Sequence, residues 1–321
     1  MSTVAALRRG SVAVPVALLL VALALPFLLN GYHVFIFSMA FAYVVAAVGF
    51  DMALGRAGLL AFTGSAFFGL GAFVAGRLAT LGVPTELTLL AALLAGALLG
   101  FLYGAVTVRL QAYYFAITGI VLMLLLNFFY RNAEAIAGGY SGFSIPAPSF
   151  LLGGGGTLRS ATAMYFFGLG LAVPAYIAAR LIGRSRIGRS WRVVREAPAV
   201  AEGLGINVWR ARLLAIVLSS AYLALGGAWF GYLSLRFLPE SFMFEQLLLL
   251  FLMLIIGGLR SVTGAAIGAV ILIWFNQYLA EFVGVSDIIY GVSLLACVLL
   301  FSRGIYGTVS NRFRGFRESL L

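Results

Sequence analysis

Residues Gly183–Asn207 read GRSRIGRSWRVVREAPAVAEGLGIN, and they separate two long apolar runs, Ala161–Ala179 and Leu213–Leu235. Eight arginines fall between Arg180 and Arg212. A charged side chain at the centre of a bilayer costs about 2.5–3.5 kcal/mol on insertion scales, so a segment this polar lies outside the hydrocarbon while its flanks can cross it. Runs of this length span about 30 Å as helices, and helices satisfy their own backbone hydrogen bonds in lipid. The pattern therefore reads as an all-α, polytopic transmembrane helical bundle with a polar island that can meet a soluble partner.

Working outward from the island, the rest of the chain repeats the apolar theme. It is 63% hydrophobic and 10% charged, with a mean hydropathy of +1.09. Ten membrane-embedded segments are expected, near Val12–Leu29, Phe35–Leu54, Leu59–Leu78, Leu87–Val108, Tyr113–Tyr130, Ala161–Ala179, Leu213–Leu235, Phe242–Leu259, Val262–Phe282 and Ile288–Phe301. The third is glycine-rich and either crosses or re-enters; the last is short. Val12–Leu29 behind Arg8 and Arg9 has a signal-peptide flavour, but its 18 apolar residues and the missing small-residue cleavage site favour a retained helix. Residues 1–321 read as one transmembrane domain, with a cytoplasmic loop at 180–212 and a basic cytoplasmic tail at 303–321.

The charge pattern orients the bundle. All 21 basic residues are arginine, and the net charge of +11 concentrates in the island, the tail and the N-terminus. Such clustering expresses a positive-inside bias rather than nucleic-acid binding. An inside N-terminus places Arg56, Arg109, the island, Arg260 and the tail in the cytoplasm, and the loops with Glu86, Glu134 and Glu240 outside. The absence of lysine excludes a Walker A phosphate loop. One cysteine, Cys297, and one histidine, His33, provide neither a zinc site nor a disulfide within the chain. No dense relay of buried acids and histidine suggests a proton-coupled carrier, and no acid–base cluster suggests a membrane enzyme. Asp51 is expected to pair with Arg56, and Glu245 to sit solvated near an outer interface.

Glycines recur at intervals of four, at Gly96, Gly100 and Gly104, at Gly227 and Gly231, and at Gly264 and Gly268. This spacing puts them on one helix face and fits close helix packing. Gly55–Gly71, GRAGLLAFTGSAFFGLG, is too glycine-rich for an ordinary helix, since each glycine costs up to about 1 kcal/mol relative to alanine. Close packing and a broken helix exposing backbone to a solute both account for it. The outer Gly138–Pro148 stretch suits an ordered cap or a flexible connector. Within the island, Ile187, Trp191 and Val194, and separately Val200 and Leu204, form apolar stripes at helical spacing that can face the bundle or a partner. Pro198 is tolerated only in a first turn, so a helix is expected to start near Ala197 or kink there.

Several blocks resemble the permeases of branched-chain amino acid ABC importers. They are Phe50–Gly58 with Ala66–Phe73, Arg109-Leu110 with Tyr113–Ile117, Gly138-Gly139 through Ile145-Pro146, and Gly257-Gly258-Leu259 with Ser261 and Gly264. The most specific is the island itself, Ser185–Arg189, Arg195-Glu196 and Ala201–Asn207, which is closer to the M-type subunit than to its H-type partner. Where that family usually has a Ser-Leu-Gly-His/Gln-like stretch, this chain has Ala61-Phe62-Thr63-Gly64-Ser65.

The resemblance implies a permease that is not itself an enzyme and has no cofactor of its own, with ATP bound by partner subunits. Its expected partners are a homologous second permease, two ATP-binding cassette ATPases and a periplasmic or extracellular substrate-binding protein, in a prokaryotic cytoplasmic (inner) membrane. Coupling to the ATPase is expected at Arg195, Glu196, Ala201, Glu202, Gly203 and Gly205, with the glycines permitting a tight exit turn. The substrate pathway is expected along Gly58, Gly64, Gly69, Gly71, Tyr113, Tyr114 and Phe115. Branched-chain or related amino acids are the implied solute. Urea, short amides and organic acids remain open as cargo, as does an ion-coupled secondary carrier as mechanism.

Overall fold

The computed structural model describes residues 19–149 and 160–279. The first described helix, α1, spans Leu19–Leu28. It is followed by α2 (Gly31–Phe50), which continues into a π-helical turn at Asp51–Arg56, and by α3 (Gly64–Thr80), α4 (Thr85–Thr107) and α5 (Ala112–Asn132). After the short α6 (Glu134–Ala137) come α7 (Ala161–Arg184), the island helices α8 (Arg186–Glu196) and α9 (Pro198–Gly203), then α10 (Val208–Ser234), α11 (Phe244–Gly257) and α12 (Val262–Leu279).

The all-α expectation holds, and the count of ten is not confirmed. Among the described residues, six helical stretches are long and apolar enough to cross a membrane: Gly31–Arg56, Thr85–Thr107, Ala112–Asn132, Ala161–Arg184, Val208–Ser234 and Pro239–Gly257. Helices Leu19–Leu28 and Val262–Tyr278 are shorter apolar elements. The expected segment Ile288–Phe301, the tail at 303–321, Cys297 and the start of Val12–Leu29 lie outside the described residues.

The third segment departs most from its expected bounds. Instead of running from Leu59, α3 starts at Gly64, because Gly58 adopts φ +72° and turns the chain out of helical geometry. The backbone of Phe62 lies against Gly119, well inside α5, so the non-helical approach to α3 penetrates the bundle. Irregular backbone at that depth is tolerated only where protein or a cavity surrounds it.

Helix α10 forms the centre of the bundle, packed by α2, α3 and α4. Of their most apolar windows, 78% is buried in both α2 and α10, against 22% in α5, which therefore lies at the periphery. The four-residue glycine spacing does what it suggested. A Cβ on Gly96 or Gly100 would run into Ser220, and one on Gly71 into the backbone of Ala224. Gly264 and Gly268 likewise bring α12 onto the backbone of α11 at Gly257 and Met253. These crossings let backbones approach closely, which drives helix association in lipid.

At the opposite end from the island, the 138–149 loop is an ordered cap. Phe143–Ser144 (β1) pairs antiparallel with Arg236–Phe237 (β2), in the register Phe143↔Phe237 and Ser144↔Arg236. The Ile145 amide donates to Leu235 O at 2.7 Å, and Thr85 N donates to Ser149 O at 2.8 Å. Arg131 bridges to Glu240 at 3.0 Å on the same side. Glu245, in the first turn of α11, is exposed as expected.

Candidate functional site

The island folds into two helices with different surroundings. Ser185 caps α8 by accepting the Ile187 N–H at 3.2 Å. Of the predicted stripe, Trp191 and Val194 are fully buried and Ile187 is half-exposed, so this face seats α8 on the bundle. The Trp191 Nε1–H donates to Ala211 O at 2.8 Å and ties α8 to the start of α10. Arg186, Arg189 and Arg192 remain exposed.

The chain breaks at Ala197, whose φ of −152° is extended, and α9 starts with Pro198 in its first turn, as the proline required. The stripe on α9 points outward: Val200 is 56% and Leu204 67% exposed, and between them Glu202 and Gly203 are exposed as well. Only Ala201 of this helix is buried. The helix ends in a Schellman motif, in which Ile206 N donates to Ala201 O and Gly205 N to Glu202 O, both at 2.9 Å. Gly205, at φ +76°, makes the expected exit turn. Gly203 does not: it is helical, and a Cβ there would meet nothing within 4 Å. Asn207 caps α10 by accepting Arg210 N–H at 2.9 Å.

Beneath α8 lies a knot of charged groups. Asp51 is fully buried on the π-helical turn, which closes with an Ala57 N to Met52 O bond of 3.1 Å. Its carboxylate accepts Arg56 Nε at 3.1 Å, the expected pair, and the Arg260 backbone N–H at 2.9 Å. Arg260 sits in the turn between α11 and α12 at φ +73°, a conformation that costs a non-glycine residue about 1–2 kcal/mol. Its side chain reaches Glu196 at 3.5 Å, an exposed pair of small energetic weight. Arg195 is half-buried, and a Cβ on Gly58 would overlap its side chain; a Cβ on Gly183 would overlap the Arg56 guanidinium. Burial and then the neighbouring Arg260 lower the Arg195 pKa, while Asp51 and Glu196 oppose that shift. The knot joins α2, α7, α8 and the α11–α12 turn at the end of the bundle where Arg109 also lies over the Trp209 ring, 5.7 Å from its centroid.

The residues expected along a substrate pathway separate into four places. Gly58 belongs to the Arg195 contact. Gly64 and Gly69 face Leu250 and Phe242, and Gly71 makes the crossing with α10. Tyr113 and Tyr114 are 72% and 57% exposed at the start of α5, while Phe115 is buried. Between α3 and α5 lies a feature that the sequence reading missed. Ser65 and Tyr130, both buried, carry hydroxyls with no hydrogen-bond partner. Beside them Asn127 donates from Nδ2 to Pro239 O at 2.7 Å, and Met123, Leu126 and Phe242 close the walls. The seam leaves no room for a water-sized sphere. An unsatisfied buried polar group costs about 1–3 kcal/mol, and both hydroxyls carry that cost in this state.

The arginine-rich end and the alternation of helices give a sidedness test. With both loops at opposite ends, cysteine at Ser149→Cys is expected to react with a membrane-impermeant maleimide on intact cells, and Ser190→Cys only after permeabilisation, both in a Cys297→Ser background. External labelling at Ser190→Cys would reverse the orientation.

The structure is thus a polytopic helical bundle whose basic end carries α8, seated on the bundle, and α9, with its apolar stripe exposed. The family model for the branched-chain amino acid transport system / permease component matches residues 32–301, and the chain belongs to that family. It is 29% identical over 322 residues to the high-affinity branched-chain amino acid transport system permease protein LivM of Salmonella typhimurium, covering 90% of this chain and 73% of that protein. The same protein of Escherichia coli K12 matches at 29% identity over 324 residues, with the same coverage. A probable branched-chain amino acid transport permease protein LivH of Methanocaldococcus jannaschii matches over 138 residues at 28% identity, 40% of this chain and 42% of that one. No solved structure matches.

Proposed function

We propose that this chain is the M-type permease subunit of an ATP-driven importer in a prokaryotic inner membrane, and that its solutes are branched-chain amino acids. The cargo is supported by the branched-chain amino acid transport for which the LivM relatives are named and by the match over most of both chains. The observation that carries the coupling role is the exposed α9 surface: Val200, Glu202, Gly203 and Leu204 lie on or just after a helix of which only Ala201 is buried, and which directly follows α8, itself rooted in the bundle through Trp191. A large exposed apolar pair flanking a carboxylate fits a protein cleft better than lipid headgroups, which the arginines of α8 already suit.

In this reading an ATPase takes α9, and its ATP-driven movement reaches the membrane helices through α8 and the Asp51 knot. The knot touches the π-helical turn of α2 and the α11–α12 turn, so displacement of α8 biases two helix ends together. This is a shift between two states of the bundle produced by a ligand bound elsewhere. A second permease homologue, two ATPases and a binding protein complete the assembly. Affinity purification of the tagged chain from its native membrane, in mild detergent, tests it: an ATP-binding cassette subunit and a second permease are expected in near-stoichiometric yield. Recovery of the chain alone, with transport intact, would remove the reading.

A further inference from the structure

Helix α3 begins inside the bundle. Its approach, residues 57–63, is non-helical, and the Phe62 backbone lies against α5 at Gly119. The first intrahelical turn closes with Phe67 N to Thr63 O, and Thr63 provides no side-chain cap, so the preceding amides of the first turn have no intrahelical acceptor. These amides carry the positive end of the helix dipole into a buried setting. Ser65 and Ala66, from this first turn, line the seam with α5.

Two further observations point to a ligand there. The Ser65 hydroxyl is 0% and the Tyr130 residue 4% exposed, and both hydroxyl oxygens lack a hydrogen-bond partner. The two residues belong to different helices and both line one recess, whose other walls include the apolar side chains of Met123, Leu126 and Phe242. Asn127 is already held by Pro239 O. A closed seam lined by two residues with unpaired hydroxyls and by apolar side chains is complementary to a small molecule with one hydrogen-bonding end and one aliphatic end. Among the described residues, no charged side chain lines it.

We propose that the Ser65–Tyr130 seam is a transient solute-contact site of the translocation path, receiving a small aliphatic carboxylate. The carboxylate meets the Ser65 hydroxyl and the first-turn amides of α3, while the aliphatic branch lies on Met123, Leu126 and Phe242. Tyr130 provides the second hydroxyl contact. The seam is shut in this state and opens when α5, the long helix least buried in the bundle, moves away from α3. This rests on the transport reading above and adds to it the residues and the chemistry of contact.

The test uses the complete importer in proteoliposomes, with Ser65→Ala, Tyr130→Phe and the double variant, and radiolabelled leucine as the probe. Uptake per ATP hydrolysed is expected to fall about 3-fold or more in each single variant and about 10-fold or more in the double. Recovery of the complex should be unchanged, and melting temperature unchanged or raised, because each substitution removes an unpaired buried hydroxyl. Unchanged uptake in the double variant would overturn the site, as would a lowered melting temperature with lost complex, which would show that the hydroxyls serve the fold. The unsubstituted importer keeps the two readings apart: if it shows no ATP-driven uptake, the transport reading fails, whereas normal uptake that survives the double substitution fails only the site.

Discussion

Gly203→Trp leaves the permease folded and releases the ATPase. The position is exposed and helical, and a side chain there meets nothing of its own chain, so the substitution carries no internal steric cost and even raises helix propensity. In a docked complex the same indole would occupy the contact itself. Disrupting a hot spot near the centre of an interface costs about 2 kcal/mol or more, so affinity for the ATPase is expected to fall roughly 30-fold. Glu202→Arg, one residue earlier on the same exposed helix, should act in the same direction by reversing a charge. The check is quantitative co-purification of the ATPase alongside the melting temperature of the permease. Full binding by both variants would show that α9 faces something else.

The second large effect is at Asp51. Removing one partner of a buried ion pair costs about 3–5 kcal/mol, because the other charge stays buried and unpaired. Asp51→Ala would strand the Arg56 guanidinium, whose side chain is 12% exposed, and the Arg260 amide, so a marked fall in melting temperature of the detergent-purified chain is expected. Asp51→Asn keeps an acceptor for the Arg260 amide and should lie between. Adding Arg56→Met to Asp51→Ala should recover part of the loss, since it removes the stranded charge; such non-additivity is the mark of a direct pair. Equal stability of Asp51→Ala and the parent would mean that the knot does not hold these helix ends together.

Much of this was legible in the sequence where local chemistry leaves little choice. Pro198 forced a helix start, and α9 begins there. Trp191 and Val194, at helical spacing among arginines, had to find an apolar seat, and α8 buries both. Asp51 and Arg56 are five residues apart, and a buried carboxylate needs a partner within reach. The glycine stripes packed as their spacing required.

Other features depend on long-range folding that spacing does not carry. Arg260 reaches Asp51 through its backbone across 209 residues, from a left-handed turn that side-chain type does not announce. Gly58, Gly64, Gly69 and Gly71 look alike in composition, yet one seats an arginine and another seats α10. Hydropathy registers an apolar run from Leu59 and the glycines of Gly55–Gly71 allowed a broken helix, but neither locates Gly64 as the point at which the run becomes helical. Ser65 and Tyr130 are isolated hydroxyls in apolar sequence, and only their convergence makes them notable.

The central claim is that transport through this chain is driven by ATP through docked partner subunits. Leucine uptake into proteoliposomes tests it most directly, comparing the purified complex plus binding protein, with and without ATP, against the chain alone under an imposed proton or sodium gradient. Uptake that requires ATP and the ATPase, and is absent from the chain alone, is the predicted result. Gradient-driven uptake by the isolated chain would contradict the account and establish a secondary carrier.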